Sequence, residues 1–409
     1  MTSGRLVRVA GGLVLVVALV ILSNGPLFVV ARRIYDRPGF WEDPFIRPAL
    51  EIVGRAGLVA GLIDLWRGPR RRSVVSLVIA SAFAGLALWS TSWSVAPTLT
   101  WWRSLVYLGL VGFAWVLAGL SVDDLRDVLA VFSSVTVGAS LAVIVWAPRI
   151  GIDPEGAWRG LYTGPNSLAP LCGLSVIAGM AWFAAGGLRR PWGVSLVGLG
   201  LFVLARTDSV TAMVALGLAL VVSGSVTLCR RLWVEGHRRW ARGVLITLVS
   251  VSVTAGIWLL PLLWRAPTLT RRRELWDLLW DRIVERPIAG HGFFAFWEVR
   301  SLLGPYQFRL AGSAHNSWVE VLLGLGAAGL VLFAAVTAVA VARPLLSAWR
   351  RPDASRWFPL AVVSFVLVEM LTESFVSWFS YMWVLVMAMA MAPVAGRTRA
   401  GAGEAADVR

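Results

Sequence analysis

Residues 265–316 read RAPTLTRRRELWDLLWDRIVERPIAGHGFFAFWEVRSLLGPYQFRLAGSAHN. They form the longest non-apolar interruption in the chain, and what they interrupt decides the fold. On both sides the sequence runs in apolar stretches of about 20 residues, the length of helix that crosses a hydrocarbon core. The 409-residue chain is 58% hydrophobic and 15% charged, with a mean hydropathy of +0.73. Soluble proteins carry roughly a quarter charged residues. The composition excludes an ordinary soluble domain and specifies an all-α polytopic membrane protein.

About twelve transmembrane helices are expected, near residues 9–31, 48–66, 73–94, 101–120, 126–147, 161–185, 192–206, 208–229, 243–264, 315–342, 357–375 and 377–393. The second is the weakest, because Glu51, Arg55 and Asp64 interrupt it. The N-terminal run has the look of a signal peptide, but no small-x-small site follows it, so it reads as a retained first helix. The chain is then a single integral membrane domain, 1–409, with 265–314 as its large extracytoplasmic loop between spans nine and ten.

Orientation follows from the basic residues, every one of which is arginine; the net charge is +15. Short loops at 67–72, 186–191, 230–242 and 343–356 hold clusters of them, as the positive-inside rule requires of cytoplasmic loops. Both termini are then cytoplasmic. Loop charge explains much of the excess, so no nucleic-acid partner is expected. The stretch 265–314 is the exception, with eight arginines on the outer side. Long loops cross regardless of charge. Their partners are either anionic lipid headgroups or a phosphorylated lipid substrate.

Within this loop Thr270 is placed to cap a helix. Leu275, Trp276, Leu279, Trp280 and Ile283 recur at helical spacing, with Arg272, Arg273, Asp277 and Asp281 between them. That is an amphipathic helix whose tryptophans suit a membrane surface. Pro287 and Gly290 end it, and Gly290-His291-Gly292 forms a turn.

No dinucleotide fingerprint, phosphate loop, nucleophile elbow or HExxH zinc motif is present. Asp123-Asp124 reads as a solvated helix start beside Arg126. His237, His291 and His315 are dispersed, with His237 on the opposite membrane face, and neither Cys172 nor Cys229 has ligand spacing, so no metal site is expected. What remains is a constellation on the outer side. Arg159 precedes the sixth span, Arg206 occupies the turn between the seventh and eighth, Arg272 begins the loop helix, and His315 opens the tenth span. Each has a plainer reading. Helix-end arginines snorkel to headgroups, Arg206 can pair with Asp208, His291 can be a turn residue, and His315-Asn316 can cap the tenth span. Glu369 and Glu373, four apart on the eleventh span, either pair with an arginine or line the site.

Three stretches resemble the O-antigen ligase and polymerase superfamily of membrane polysaccharide transferases. Arg159-Gly-Leu-Tyr-Thr-Gly-Pro-Asn166 is similar to the family's Arg-Gly-x-x-x-x-Pro-Asn. Arg272-Arg-Glu-Leu-Trp276, followed by Glu285-Arg-Pro-Ile-Ala-Gly-His-Gly292, is similar to Gly-Arg-x-x-x-Trp and then Pro-x-x-Gly-x-Gly, with Arg271 where the family often has glycine. Ala314-His-Asn-Ser-Trp-Val-Glu320, with Gly326-Ala-Ala-Gly329, is like the family's His-Asn segment and Gly-rich span. Leu88-Trp89-Ser-Thr-Ser-Trp93 and Glu373-Ser-Phe also fit.

The resemblance implies a metal-independent, cofactor-free glycosyltransferase of a bacterial cytoplasmic membrane. It would move a glycan from an undecaprenyl-diphosphate carrier to a glycan or lipid acceptor hydroxyl at the outer side. Arg159, Arg206 and Arg272 would bind the diphosphate and His315 would act on the acceptor. Asn166, Asn316, Arg273, His291, Glu369 and Glu373 would support them. Guanidinium forks can stabilise a diphosphate leaving group as a metal would, and histidine titrates near enough to neutrality to accept a proton. A ligase and a polymerase share this donor. A transporter for an anionic lipid is the rival from another class, and it would place polar groups at the midplane.

Overall fold

The computed structural model describes residues 3–27, 29, 46–68, 72–247, 250, 267–299, 302, 312–350, 355–376 and 379–394. Their named elements are helices: α1 (Ser3–Leu22), α2 (Ile46–Trp66), α3 (Val74–Trp89), α4 (Pro97–Ala118), α5 (Val122–Trp146), the single turn α6 (Pro148–Gly151), α7 (Pro165–Ala185), α8 (Arg189–Ala205), α9 (Val210–Val234), α10 (Pro267–Glu285), α11 (Ser317–Arg350), α12 (Trp357–Glu369) and α13 (Tyr381–Met391). Among the described residues six helices are long and apolar enough to cross a membrane: Val74–Ser92, α4, α5, α7, α9 and α11. Ala10–Leu22, α12 and α13 are shorter apolar helices. The chain is a multi-pass helical membrane protein.

Most expected spans coincide with a helix, but not all reach the expected length. The eleventh stops at Glu369 instead of 375, so Glu369 and Glu373 do not share a helix; Glu373 lies in the turn beyond it. The twelfth begins at Tyr381. The expected ninth span, 243–264, falls mostly outside the described residues. The charges that weaken the second are locally paired: Glu51 meets Arg47 at 2.9 Å and Arg55 at 2.7 Å, and Asp64 pairs with Arg72.

Small residues set the closest helix contacts. Gly54, Gly57 and Gly61 of α2 face Gly109 and Gly112 of α4, and a Cβ at Gly109 would overlap the backbone of Gly54. Gly179 of α7 meets Gly193 of α8 in the same way. Between lipid-embedded helices, association rests on such packing because burying apolar surface gains little there. α13 is buried along its whole length, with Trp383 stacked on Phe333 and its indole N–H donating to the Tyr107 hydroxyl.

The arginine-rich connections converge on one end of the bundle. There Arg72 donates to the Trp115 carbonyl at 2.8 Å, the Ser73 N–H to the Met391 carbonyl at 3.0 Å, Arg343 to the Ala392 carbonyl at 2.6 Å, and Arg230 to the Trp349 carbonyl. Arg189 reaches Asp127 at 2.7 Å. The opposite end holds 147–162, 205–209, 286–299, 312–317 and 369–376.

Candidate active site

The site is built where a loop enters a broken helix. α11 is interrupted at Gly326, whose φ of 60° and ψ of −159° are non-helical. The break exposes backbone groups that a helix would pair internally, and residues 287–292 fill them. The N–H groups of His291 and Gly292 donate to the carbonyls of Leu323 and Gly324, both at 2.9 Å. In return Ala327 donates to the Pro287 carbonyl at 2.8 Å and Ala328 to that of Ile288 at 3.2 Å. Irregular backbone is tolerated at such depth only when it is satisfied within the protein. Gly290 and Gly292 have φ of 65° and 101°, and a Cβ on Gly290 would press on the Gly324 backbone.

The same loop seals against α3 and α4. Trp93 Nε1–H donates to the Ala289 carbonyl at 2.9 Å, Val95 N–H to the His291 carbonyl at 3.0 Å, and Phe293 N–H to Ser90 Oγ at 3.0 Å. Arg103 is 2% exposed, donates to the Phe294 carbonyl and meets Glu298 at 2.6 Å. His291 is buried within this seal. Its Nε2–H donates to the Arg282 carbonyl at 2.9 Å, and its Nδ1 has no partner among the described residues. Burial lowers its pKa; the Arg282 carbonyl opposes this, and the nearby Arg286 charge reinforces it.

α10 begins at Pro267, so Thr270 lies inside the helix and does not cap it. Leu275, Leu279 and Ile283 are buried against Phe296, Ala314 and Leu323, each worth about 1.5–3 kcal/mol of transfer free energy. Trp276 also turns inward, donating to the Ala314 carbonyl at 2.8 Å, while Trp280 stays exposed. The apolar stripe expected at the membrane surface therefore serves mainly to dock α10.

This docking delivers Arg272 to the turn after α12. Its Nη1 donates to the Thr372 carbonyl at 2.7 Å and its Nη2 meets Glu373 Oε1 at 3.1 Å. The other oxygen of that carboxylate lies 3.3 Å from His315 Nδ1. Arg272 and Glu373 each keep 16% side-chain exposure and His315 keeps 36%, so the triad is reachable from outside the fold. His315 holds a left-handed φ of 49°. Asn316 is the cap of α11, its Oδ1 accepting from the N–H groups of Trp318 (2.9 Å) and Val319 (3.2 Å). Ser317 bridges the segments, its N–H donating to the Met370 carbonyl at 2.9 Å and its hydroxyl to the Glu373 carbonyl at 2.7 Å.

Arg159 and Arg206 form a second group on the same end of the bundle. Arg159 is 8% exposed and donates to the carbonyls of Ile150 (2.8 Å) and Arg149 (3.3 Å). Arg206 is exposed at the C-cap of α8, its guanidinium 5.2 Å from the ring centroid of Trp158. Its carbonyl accepts the Trp158 N–H at 2.8 Å. No ion pair joins it to Asp208 among the described residues. Asn166 is exposed in the first turn of α7, and Arg273 is half-buried on α10. Tyr381 lies within electrostatic reach of both Tyr162, three residues past Arg159, and Glu369, which is 1% exposed and itself feels Arg272 and Glu373.

Sequence reasoning did not single out Arg103, Glu298 or Trp297, and quoted Glu320 only as part of a motif. A carboxylate six residues into an apolar span, as at Glu320, was the available signal, since such groups are costly there unless paired. Chemically, the triad sets a cation and an imidazole on one carboxylate. A guanidinium carries five N–H groups, and Arg272 uses two among the described residues, leaving three for an anion. With Nδ1–H donated to Glu373, His315 would keep a lone pair on Nε2.

No curated protein matches the chain. The family model described as O-antigen ligase matches residues 194–334, a stretch that contains Arg206, Arg272, His291 and His315; the match supports the resemblance of the motifs to the O-antigen ligase superfamily and glycan transfer of the ligase or polymerase type.

Proposed function

We propose that the protein transfers a glycan from an undecaprenyl-diphosphate carrier to an acceptor hydroxyl at the outer side of a bacterial cytoplasmic membrane. The observation that carries this reading is the shared carboxylate of Glu373, which holds Arg272 beside His315 on an accessible surface. His315 Nε2 takes the acceptor proton as the hydroxyl oxygen attacks the anomeric carbon. The bond from that carbon to the diphosphate breaks, and the diphosphate leaves with the electron pair. Arg272, with Arg206 and Arg159, stabilises that charge without a metal ion. Glu373 fixes the imidazole tautomer and offsets the proton it gains. The clustering of short arginine-rich connections at the far end supports an outward-facing site.

A transporter would also use a broken helix. Here residues 287–292 occupy the break at Gly326, so its freed backbone groups are not offered to a passing ligand. That favours the enzyme.

The test supplies purified protein with labelled undecaprenyl-diphosphate glycan and chelator, and follows release of the carrier. Wild type should turn over without metal, and His315→Ala should be slower by about 10²- to 10⁴-fold. Full turnover by His315→Ala removes the base role. Lipid translocation in vesicles without carrier release assigns the chain to the transporters. Trials with glycan and lipid acceptors separate polymerase from ligase.

A further inference from the structure

Glu320 lies one turn into α11, 7% exposed, and belongs to none of the groups assigned above. Its two oxygens gather three donors. Trp297 Nε1–H meets Oε1 at 2.7 Å, and the Ala314 N–H and the Ser374 hydroxyl meet Oε2 at 2.8 and 3.3 Å. Ala314 immediately precedes His315, and Ser374 immediately follows Glu373. Ser374 Oγ in turn accepts the Asn316 N–H at 3.1 Å. One carboxylate thus grips the chain neighbours of both His315 and Glu373 while bonding to neither side chain.

The backbone of His315 explains the need for such a grip. A left-handed φ is unfavourable for a residue with a Cβ and persists only where the surroundings over-determine it. The bonds at Ala314 and Asn316 bracket His315, and both lead to Glu320. A buried carboxylate is also a costly way to join two loops if joining is all that is required. Here it brings three donors, from three separate segments, to one point. Trp297 extends the connection to the loop that Arg103 and Glu298 anchor on α4.

We infer that Glu320 is a positioning residue that sets the separation and orientation of His315 and Glu373 for glycan transfer; this rests on the reading of His315 as the base. Glutamine at 320 keeps size and shape but offers one acceptor oxygen in place of two, so its amide N–H₂ must face a donor, either Trp297 Nε1–H or the Ala314 N–H. The carboxylate at 373 then no longer holds the imidazole in the reacting pose, while Arg272 keeps its bond to the Thr372 carbonyl.

The experiment compares Glu320→Gln, Ser374→Ala and Glu373→Gln, singly and in pairs, in carrier release by the full chain. Glu320→Gln should lower kcat about 10- to 100-fold, as misplacement of a reacting group does, with donor KM within about twofold of wild type. Ser374→Ala should lower kcat about 3- to 10-fold in the same manner. Combined with Glu373→Gln, Glu320→Gln should cost less than about twofold more, because the two act through one imidazole. Losses that multiply in the double variant, or a raised KM at unchanged kcat, overturn the inference. If Glu320→Gln does not fold, the Ser374→Ala and Glu373→Gln pair decides by the same criterion. An inactive His315→Ala beside a normal Glu320→Gln overturns only the positioning role. A fully active His315→Ala overturns the base reading and this inference with it.

Discussion

His315 Nδ1 stands 3.3 Å from one oxygen of Glu373, and the second oxygen of that carboxylate stands 3.1 Å from Arg272 Nη2. A single acidic side chain therefore ties the group proposed to accept a proton to the group proposed to hold the leaving diphosphate. It orients the imidazole, and it also occupies part of the guanidinium that a phosphate would use.

The two roles of Glu373 separate in kinetics. Glu373→Gln should lower kcat about 10- to 100-fold, because the imidazolium loses its counter-charge and its orientation. Donor KM should stay level or fall, because Arg272 is relieved of a competing anion. A rise in donor KM with unchanged kcat would show that Glu373 serves only donor binding.

Arg272 is held by a backbone carbonyl on one nitrogen and a carboxylate on another, which presents the rest of its fork in a fixed plane. Lysine would keep the charge and lose the fork. Arg272→Ala should weaken binding of a polyprenyl-diphosphate glycan about 10- to 100-fold, and Arg272→Lys should recover only a minor part of it. Binding measured by displacement of a labelled donor checks this. Full affinity in both variants returns Arg272 to a structural role in holding the turn at Thr372.

How far the site could be read beforehand depended on what each residue bonds to. The length of the apolar runs exposed the spans, because a segment that crosses the hydrocarbon core must be about 20 apolar residues of helix with its backbone satisfied internally. Arg272 and His315 stood out as polar groups at the two ends of one loop, and the structure brings them to a shared carboxylate. Glu373 was expected on a helix face with Glu369. It lies beyond the helix because α12 ends earlier, which no capping residue announced. The inward turn of Trp276 and the insertion of 287–292 into α11 were not legible. Both depend on partners about 30 to 40 residues away in the chain, and periodicity reports only on local neighbours. The Gly326-Ala-Ala-Gly329 stretch read only as part of a Gly-rich span, whereas Gly326 is the break itself.

That break makes a sharp stability prediction. Gly326 has a left-handed φ of 60°, and a Cβ there would overlap the backbone of Ile288. Gly326→Ala must either straighten α11, which ejects 287–292, or push that loop away. Both outcomes remove several backbone hydrogen bonds, and a loss of about 3 kcal/mol or more is expected. Gly217, whose Cβ direction is open, is the control. Gly217→Ala should leave the thermal midpoint within a few degrees, while Gly326→Ala should lower it steeply or abolish monodisperse protein. Equal midpoints for the two would contradict the inserted-loop architecture.

The seal around His291 should respond to acid. Burial lowers the pKa of this imidazole in the folded protein, so the unfolded chain binds the proton more readily. Where the unfolded state binds more protons, stability rises with pH. The contribution is complete above the ordinary histidine value, about 6.5, and is lost as pH falls from there through the lowered folded value. Wild type should melt earlier at pH 5 than at pH 7.5. His291→Asn, which cannot take up a proton there, should show a smaller drop over the same interval. An identical drop in the two proteins assigns the acid sensitivity to other groups.

Sidedness can be read without activity. Cys172 and Cys229 are buried free thiols and leave a quiet background for labelling. Asp277 is exposed on α10, at the end of the bundle that holds the triad, and Arg238 is exposed among the arginine-rich connections at the other end. With the basic end inside, Asp277→Cys in intact cells should react with a membrane-impermeant thiol reagent. Arg238→Cys should react only after lysis. The reverse pattern would place Arg272, Glu373 and His315 in the cytoplasm, away from any acceptor on the outer surface. The proposed reaction would then need a donor that had not yet crossed the membrane. Labelling of both sites from outside would break the link between charge clustering and orientation, and the outward-facing site would lose its support.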